Sequence, residues 1–339
     1  MRIHYRETED GIEIVRCFGA DPQIVLPEQI CGKPVVRAAA YAFSDRKGRE
    51  EDDVQVYESE DARLFRQQER LLAGEVIESI QLPDPMREVG RYIFYGYRNL
   101  KRLAFSDALT EIGSGAFTGC RGLSSLEVRL ISGQRSCVSE ILGDLWQRMD
   151  VAFYSVPEFG LEFGLKSGVE LGLKPGTRLA ARLVFPEHYE EAVENTPARI
   201  LFTQHHGSGN NYRQCFYNKE MDYRKYDELF YVAKAHDKIS VLLDLVFARL
   251  MYPWELTESA GQMYESFVRE HGREAAEYVT DAAHSDAMRE MSRRNLWNRE
   301  TLDAAIDYAA SAGKQEALSF LMNEKHRLFP RRKRDERVL

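Results

Sequence analysis

The chain reads as an α+β multidomain protein, and three observations point there. Residues 79–128 repeat with a period of 23, strand-like runs and turn residues follow to about residue 221, and apolar residues recur at helical spacing from Tyr223 onward. The predicted parts are a short β-solenoid at 1–128 with an insertion at 44–75, a small α+β domain at 129–221, an all-α array of helical hairpins at 222–329, and a basic tail at 330–339. A length of 339 residues exceeds what one hydrophobic core usually serves, in keeping with several domains.

The repeat shows in columns. At an offset of 23, Ile80 aligns with Leu103, Leu82 with Phe105, Val89 with Ile112, Phe94 with Phe117 and Leu100 with Leu123. Gly90 aligns with Gly113 and Gly96 with Gly119, and a partial further copy begins at Leu126 and Val128. Ile80 and Leu82 lie two apart and share one face of a strand, which a single strand cannot bury. Stacking the copies buries that face and puts Phe94 and Phe117 in one file. An earlier, degenerate copy places Ile24, Leu26, Pro27 and Phe43 in the same columns, with a turn lengthened by Cys31, Gly32, Lys33 and Pro34. Ahead of it, Asp10-Gly11 between two alternating runs predicts a β-hairpin that closes the end of the stack.

These segments resemble the short bacterial leucine-rich repeats of the BspA type, in which an apolar-x-apolar-Pro strand precedes apolar-Gly, Ala-Phe, Cys and Leu. The third copy carries the resemblance best, through Ile112-Gly113, Ala116-Phe117, Cys120 and Leu123, whereas Ser106 stands in place of the proline, Ile93 of the alanine and Tyr97 of the cysteine. The resemblance spans about residues 12–128. It implies a right-handed stack used for binding, no catalytic residue, and a Cys120 that packs in the core. The insertion carries Glu50, Glu51, Asp52 and Asp53, then helical spacing through Leu64, Phe65, Leu71 and Leu72. It is read as a solvated decoration or a recognition loop.

In the middle region, a helix is expected from Ser136 to Met149, with Ile141, Leu142, Leu145 and Trp146 on one side. Strands are expected at 151–156, 179–185 and 198–203, with a short helix near 187–194. Gly160, Gly164, Gly168, Gly172 and Gly176 suit successive turns and form no nucleotide-binding fingerprint. The densest chemical cluster is 203–215. There His205, His206, Ser208, Asn210, Tyr212 and Arg213 are the candidate contacts for a ligand or partner, with Cys215 as a further nucleophile. A Gly- and Asn-rich turn produces the same text. Adjacent histidines on a strand also point to opposite faces, which spoils them as joint metal ligands. No catalytic, cofactor-binding or metal residue is assigned.

In the last third, Leu229, Phe230 and Ala233, then Leu242, Leu245, Val246 and Leu250, then Met263, Phe267 and Val268 form helical stripes punctuated by Pro253, Gly272 and Gly313. Residues 300–322 resemble the paired helices of an ankyrin repeat, through Ala304, Ala305, Ala309, Gly313, Leu318 and Leu321. A weaker copy lies some 30 residues earlier, through Ala275, Ala276 and Val279, then Ala287, Met288 and Met291. The T-P-L-H signature is missing, and a plain helical-hairpin array accounts for the same spacing. Met263, Met288, Met291 and Met322 are expected to fill core, and Trp254 and Trp297 to anchor helix ends.

A net charge of −8 argues against nucleic acid as partner, and the only dense basic run is Arg331, Arg332, Lys333 and Arg334, read as a solvated tail. The opening MRIHYRETEDGIEIV has no apolar signal core, and 239–252 is interrupted by Asp244 and Arg249, so neither export nor membrane insertion is expected. That sets aside the surface display which relatives of the repeat family suggest. Five cysteines without C-x-x-C spacing fit reduced thiols in the cytoplasm. The function expected is a non-catalytic protein-interaction or scaffold module without cofactor; the alternative is a ligand sensor or enzyme using the 205–215 loop.

Overall fold

The computed structural model describes residues 1–46, 53–59, 69–133, 135–155, 177–195, 200–281 and 284–330. The chain divides into two compact units, Met1–His236 and Asp237–Leu339.

In the first unit, β1 (Arg2–Thr8) and β2 (Gly11–Gly19) form the expected hairpin, with Thr8 opposite Gly11. Coils follow: β3 (Gln23–Val25), β4 (Gln29–Ile30) and β5 (Lys33–Ala38), then β6 (Gln55–Glu58) and β7 (Arg70–Leu71) from the insertion. After these come β8 (Ser79–Gln81) with β9 (Glu88–Val89), β10 (Arg102–Ser106) with β11 (Glu111–Ile112), and β12 (Ser125–Leu130). α1 (Val138–Gly143) leads into β13 (Met149–Ser155) and β14 (Arg178–Phe185). One wall of the solenoid is a sheet ordered β14-β13-β12-β10-β8-β3, parallel except for β14; the other runs β11-β9-β5-β2-β1-β6.

Register follows the sequence columns. Leu103 sits beside Ile80 on one side and Leu126 on the other, each 23 residues away, and Ile24 sits beside Ile80. The rings of Phe43, Phe94 and Phe117 stack in one buried file, with centroids 5.8 and 5.5 Å apart. Coil spacing is set by the glycines. A Cβ on Gly90 would stand 2.3 Å from the Ala40 amide, and one on Gly113 2.2 Å from the Arg91 amide, so backbone lies on backbone at those positions.

The departures from the repeat pattern have partners. The Tyr97 hydroxyl, in the cysteine column, donates to the Leu72 carbonyl at 3.0 Å, and the Cys120 thiol donates to the Phe94 carbonyl at 3.1 Å. Burial pushes the Cys120 thiol up to about 12, which keeps it protonated and packed. Ser106, in the proline column, donates to the Asp84 carbonyl at 2.7 Å, while the Asp84 carboxylate accepts from buried Arg129 at 2.6 Å. Asp107 beside it accepts from the Ile131, Ser132 and Gly133 amides; burial still holds its carboxyl above the usual value.

Several expectations change. No separate middle domain begins at 129: Val151 pairs with Leu126, so β13 is a further coil and β14 closes the same sheet. The helix expected from Ser136 to Met149 stops at Gly143, which leaves Trp146 half exposed instead of in an apolar stripe. The helix expected near 187–194 is a strand, β15 (Tyr189–Asn195), because pairing with β16 (Ile200–His206) overrides local helical preference. Leu71, expected on a helix, lies in β7 opposite Phe18. The unit ends with α2 (Gly209–Arg213), β17 (Phe216–Tyr217), β18 (Glu220–Met221), α3 (Tyr223–Glu228) and α4 (Phe230–His236). The last two were expected in the helical domain. They belong here because the Tyr226 hydroxyl donates to the Val184 carbonyl and accepts from its amide, at 2.6 and 2.9 Å, blocking that edge of β14. Glu50, Glu51, Asp52, Leu64, Phe65, the glycines from 160 to 176 and the basic run 331–334 lie outside the described residues.

The second unit comprises α5 (Ile239–Met251), α6 (Glu258–Glu270), α7 (Gly272–Val279), α8 (Ser285–Arg293), α9 (Arg299–Ser311) and α10 (Gln315–Leu328). α5 is its centre: Leu242, Leu243, Leu245 through Ala248 and Leu250 are all buried, and α6, α7 and α8 pack on it. Helix starts are capped by Thr257 and, in a reciprocal capping box, by Asn298 with Thr301. Gly313 takes the left-handed conformation at the α9–α10 turn. Met288, Met291 and Trp297 are buried as expected, whereas Met322 is half exposed. Burial alone raises the Glu290 carboxyl, but hydrogen bonds from Arg293 and Arg294 outweigh it and hold it below the ordinary value.

Two outcomes follow. Gly113→Ala, forced against the Arg91 amide, lowers urea stability by roughly 2–4 kcal/mol, whereas Gly143→Ala, with open space around it, stays within about 0.5 kcal/mol. Because the folded Glu290 value lies below the unfolded one of about 4.3, its contribution is present above that pH and is lost as pH falls through the folded value. Thermal melts show Glu290→Gln less stable than wild type at neutral pH, with the two converging in acid.

Candidate interaction surface

Two places compete as the functional site: the cluster singled out by its chemistry, and the outer face of the parallel sheet. The cluster is held by Arg213, at the end of α2. Its Nε donates to the Leu142 and Leu145 carbonyls at 3.1 and 3.0 Å, Nη1 to those of Pro186 and Gly209 at 2.7 and 3.1 Å, and Nη2 to that of Gln147 at 2.7 Å. Five carbonyls from three chain segments meet one guanidinium. Burial lowers its pKa to about 10, so it stays charged at neutral pH with its donors already engaged.

The glycines of the cluster serve the same contact. A Cβ on Gly209 would lie 2.1 Å from the Pro186 carbonyl oxygen, and one on Gly207 2.3 Å from that of Glu187. Ser208, Tyr212 and Cys215 are fully buried, with the Tyr212 ring set edge-on to Tyr226 at 4.7 Å. Burial pushes the Cys215 thiol up to about 12, far from a thiolate nucleophile. Asn210 is exposed. On β16 the two histidines diverge as the strand alternation requires. His205 lies 3.3 Å from Glu190, while His206 stacks on Tyr189 at 4.4 Å and lies 3.2 Å from Glu191. Next to them, burial and then the Arg213 charge lower the pKa of His188. The six predicted residues therefore do not converge: Ser208 and Tyr212 are buried, Arg213 is a backbone clamp, His205 and Asn210 are exposed, and His206 is half-buried against Tyr189. Among the described residues, no group of three or more His, Cys, Asp or Glu is placed to hold a metal ion.

The outer sheet face carries what the sequence reading passed over. With Ile80, Leu103, Leu126 and Val151 turned inward, alternation turns two rows outward. One follows the register Gln23, Ser79, Arg102, Ser125, Asp150, and the other Val25, Gln81, Ala104, Glu127, Ala152, Arg182. Arg102 and Glu127 are joined by two hydrogen bonds across β10 and β12, and Asp150 lies between Arg148 and Arg182 at 3.0 and 3.2 Å. Small residues and paired charges of both signs thus lie side by side on this face, which covers Ala104 and leaves Val25 more than half exposed at its β3 edge. The apolar-x-apolar pattern that revealed the core also identifies the second row, as the x, and the first row as the residue ahead of it.

Residues 69–137 match the family described as BspA type Leucine rich repeat region. The repeat region of the first unit is accordingly a BspA-like leucine-rich repeat solenoid, whose degenerate first coil lies ahead of the matched span. The chain is also similar to a leucine rich repeat protein of T. pallidum known from its crystal structure, at 21% identity over 40% of this chain and 73% of that one, with a TM-score of 0.21. No curated protein matches the chain. Among the described residues, no helix is long and apolar enough to cross a membrane.

Replacing Arg213 leaves buried carbonyls without donors. Arg213→Met is expected to cost on the order of 3 kcal/mol in denaturant titration, and Arg213→Lys, with fewer donors, to recover only part of it. His205→Ala, at an exposed ion pair, stays within about 0.5 kcal/mol.

Proposed function

We propose that the protein is a non-catalytic protein-interaction module whose outer sheet face receives a protein partner. The observation that carries this reading is the file Gln81, Glu127, Arg182 and its neighbour Ser79, Arg102, Ser125, Asp150, held in register on a sheet whose other side is fully packed. Such a face gives complementarity at little ordering cost, because its backbone is already fixed. The chain's net charge of −8 favours a protein over a nucleic acid as partner. The leucine-rich repeat match supports the same use. Against catalysis by the 205–215 loop stand the engaged donors of Arg213 and the buried, protonated Cys215.

The helical unit is part of the proposal as an ankyrin-like array. Lys314, beside the α9–α10 turn, lies 3.5 Å from Asp281, beside the α7–α8 turn, and the two are 33 positions apart, the ankyrin period. A cytoplasmic setting belongs to it as well, supported by the free thiol of exposed Cys31.

A photo-cross-linking amino acid introduced at Ser79 or Ser125, on the outer face, should capture one and the same partner in cells. The same group at Glu111, on the opposite wall, should capture none. Glu127→Arg, which breaks the pair with Arg102 and reverses a charge on the face, should reduce capture about tenfold. Equal capture from both walls would overturn the reading, as would turnover of a small substrate lost on mutation of His206.

A further inference from the structure

We propose that the turns leading from β9 to β10 and from β11 to β12, with the matching turn after β5, bind an acidic segment of a partner protein. They do so through a file of tyrosines and the arginines beside it. These turns lie off the outer sheet face, so the inference does not rest on the reading of that face. Tyr41 and Tyr92 hold the same place in adjacent coils: the Tyr41 amide donates to the Arg91 carbonyl at 3.1 Å, and the Tyr92 amide to that of Ser114 at 3.2 Å. Both are in the left-handed conformation, with φ of 61° and 53°, and the next coil has Gly115 there, with φ of 64°. The place suits glycine and strains a bulky side chain, yet two coils fill it with tyrosine. Their rings stack at 5.4 Å, and Tyr95 meets Tyr92 edge-on at 5.9 Å. The Arg46 guanidinium lies 4.3 Å over the Tyr95 ring and donates to its hydroxyl at 3.2 Å. All three tyrosines are partly exposed.

Charge selects the occupant. In a chain of net charge −8, residues 90–100 and 113–123 contain Arg91, Arg98 and Arg121 and no Asp or Glu. All three arginines are exposed and have no ion pair or side-chain hydrogen bond to any described residue. Coil stacking gathers them: Arg98 and Arg121 are one repeat apart, and a Cβ on Gly122 would stand 2.2 Å from the Arg98 carbonyl oxygen. Carboxylates enter at the margins, as Asp45 next to Arg46, Glu75, whose carbonyl accepts from Asn99 at 2.8 Å, and Asp144, which accepts from the Phe117 amide. Tyrosine and arginine are the residue types that anchor protein interfaces, and a guanidinium holds a carboxylate in a two-point fit. Tyrosine hydroxyls and ring edges, both electropositive, add to the same preference. A single-stranded nucleic acid, by contrast, needs open ring faces on which to stack its bases. Tyr92 is stacked against Tyr41 and abuts Gly115, where a Cβ would stand 2.5 Å from its Cε1, and Tyr95 lies under Arg46. The net charge of the chain opposes a phosphate polymer as well.

The test uses the full chain and a fluorescent peptide of four Glu-Asp pairs, followed by anisotropy at low and moderate salt. Wild type should bind it, with affinity falling as salt rises, and should not bind a peptide of four Gln-Asn pairs. Arg91→Ala, Arg98→Ala and Arg121→Ala together should weaken binding about tenfold or more. Tyr92→Gly, which installs the residue native to the next coil, should weaken it about threefold while circular dichroism stays unchanged. Arg224→Ala, Arg273→Ala and Arg289→Ala, an equal change of net charge at exposed helical ion pairs, should leave it as it was. Failure of the wild type to bind the acidic peptide overturns the proposal. So does equal loss with the two arginine sets, which reduces the effect to net charge, or full affinity in a folded Tyr92→Gly, which leaves the tyrosine file no part in it. Where Tyr92→Gly does not fold, Tyr41→Gly takes its place, with the same outcomes. An oligothymidylate of eight dT that binds more tightly than the peptide, and is lost with the Arg91, Arg98 and Arg121 set, would make the occupant a nucleic acid and overturn it too.

Discussion

The first unit depends on one constraint: successive coils must approach until backbone touches backbone, and no side chain can intervene where they do. Gly90 and Gly113 are those points of contact, and with them closed the phenylalanine file and the strand register have one arrangement available. A slip of one residue would turn Leu103 and Leu126 to solvent and bring Glu127 into the core, so register and burial enforce each other. The outer face is a consequence of that inner one.

Polar groups hold the places where the repeat ceases to be regular. Arg129 with Asp84 ties the third and fifth strands of the parallel wall beneath Ser106, where a proline was expected, and Arg213 gathers carbonyls where the chain leaves the sheet for α2. In both, an arginine replaces the missing repetition by satisfying several acceptors at once. That also explains why the richest chemical vocabulary in the chain, at 203–215, describes architecture. Residue types suited to catalysis are equally suited to stitching irregular backbone, and only geometry tells the two apart.

What the sequence made legible was whatever repeats. The hairpin, the columns from Ile24 to Leu126, the Phe94–Phe117 file and the apolar stripes of α5 and α6 all came from periodicity and stand in the structure. The next coil was missed because Val151 follows its partner Leu126 by 25 residues and not 23, enough to break the column while the pairing persists. The segment Tyr-Glu-Glu-Ala-Val-Glu-Asn has helical composition and became β15 through pairing with β16 alone, a long-range fact no local window contains. The candidate site was less legible. Arg102, Glu127 and Asp150 look like ordinary surface charges until register lays them side by side.

The reach of the Arg213 clamp gives the first unit a direction of assembly. Each coil finds its neighbour 23 residues back, so a chain emerging from the ribosome can add coils as they appear. Four of the five carbonyls that Arg213 joins lie 27 to 71 positions earlier, and it can act only after they are made. Synthesis interrupted short of it yields a stack whose growing end stays open, with the sheet edge at β14 unguarded until α3 arrives to cover it.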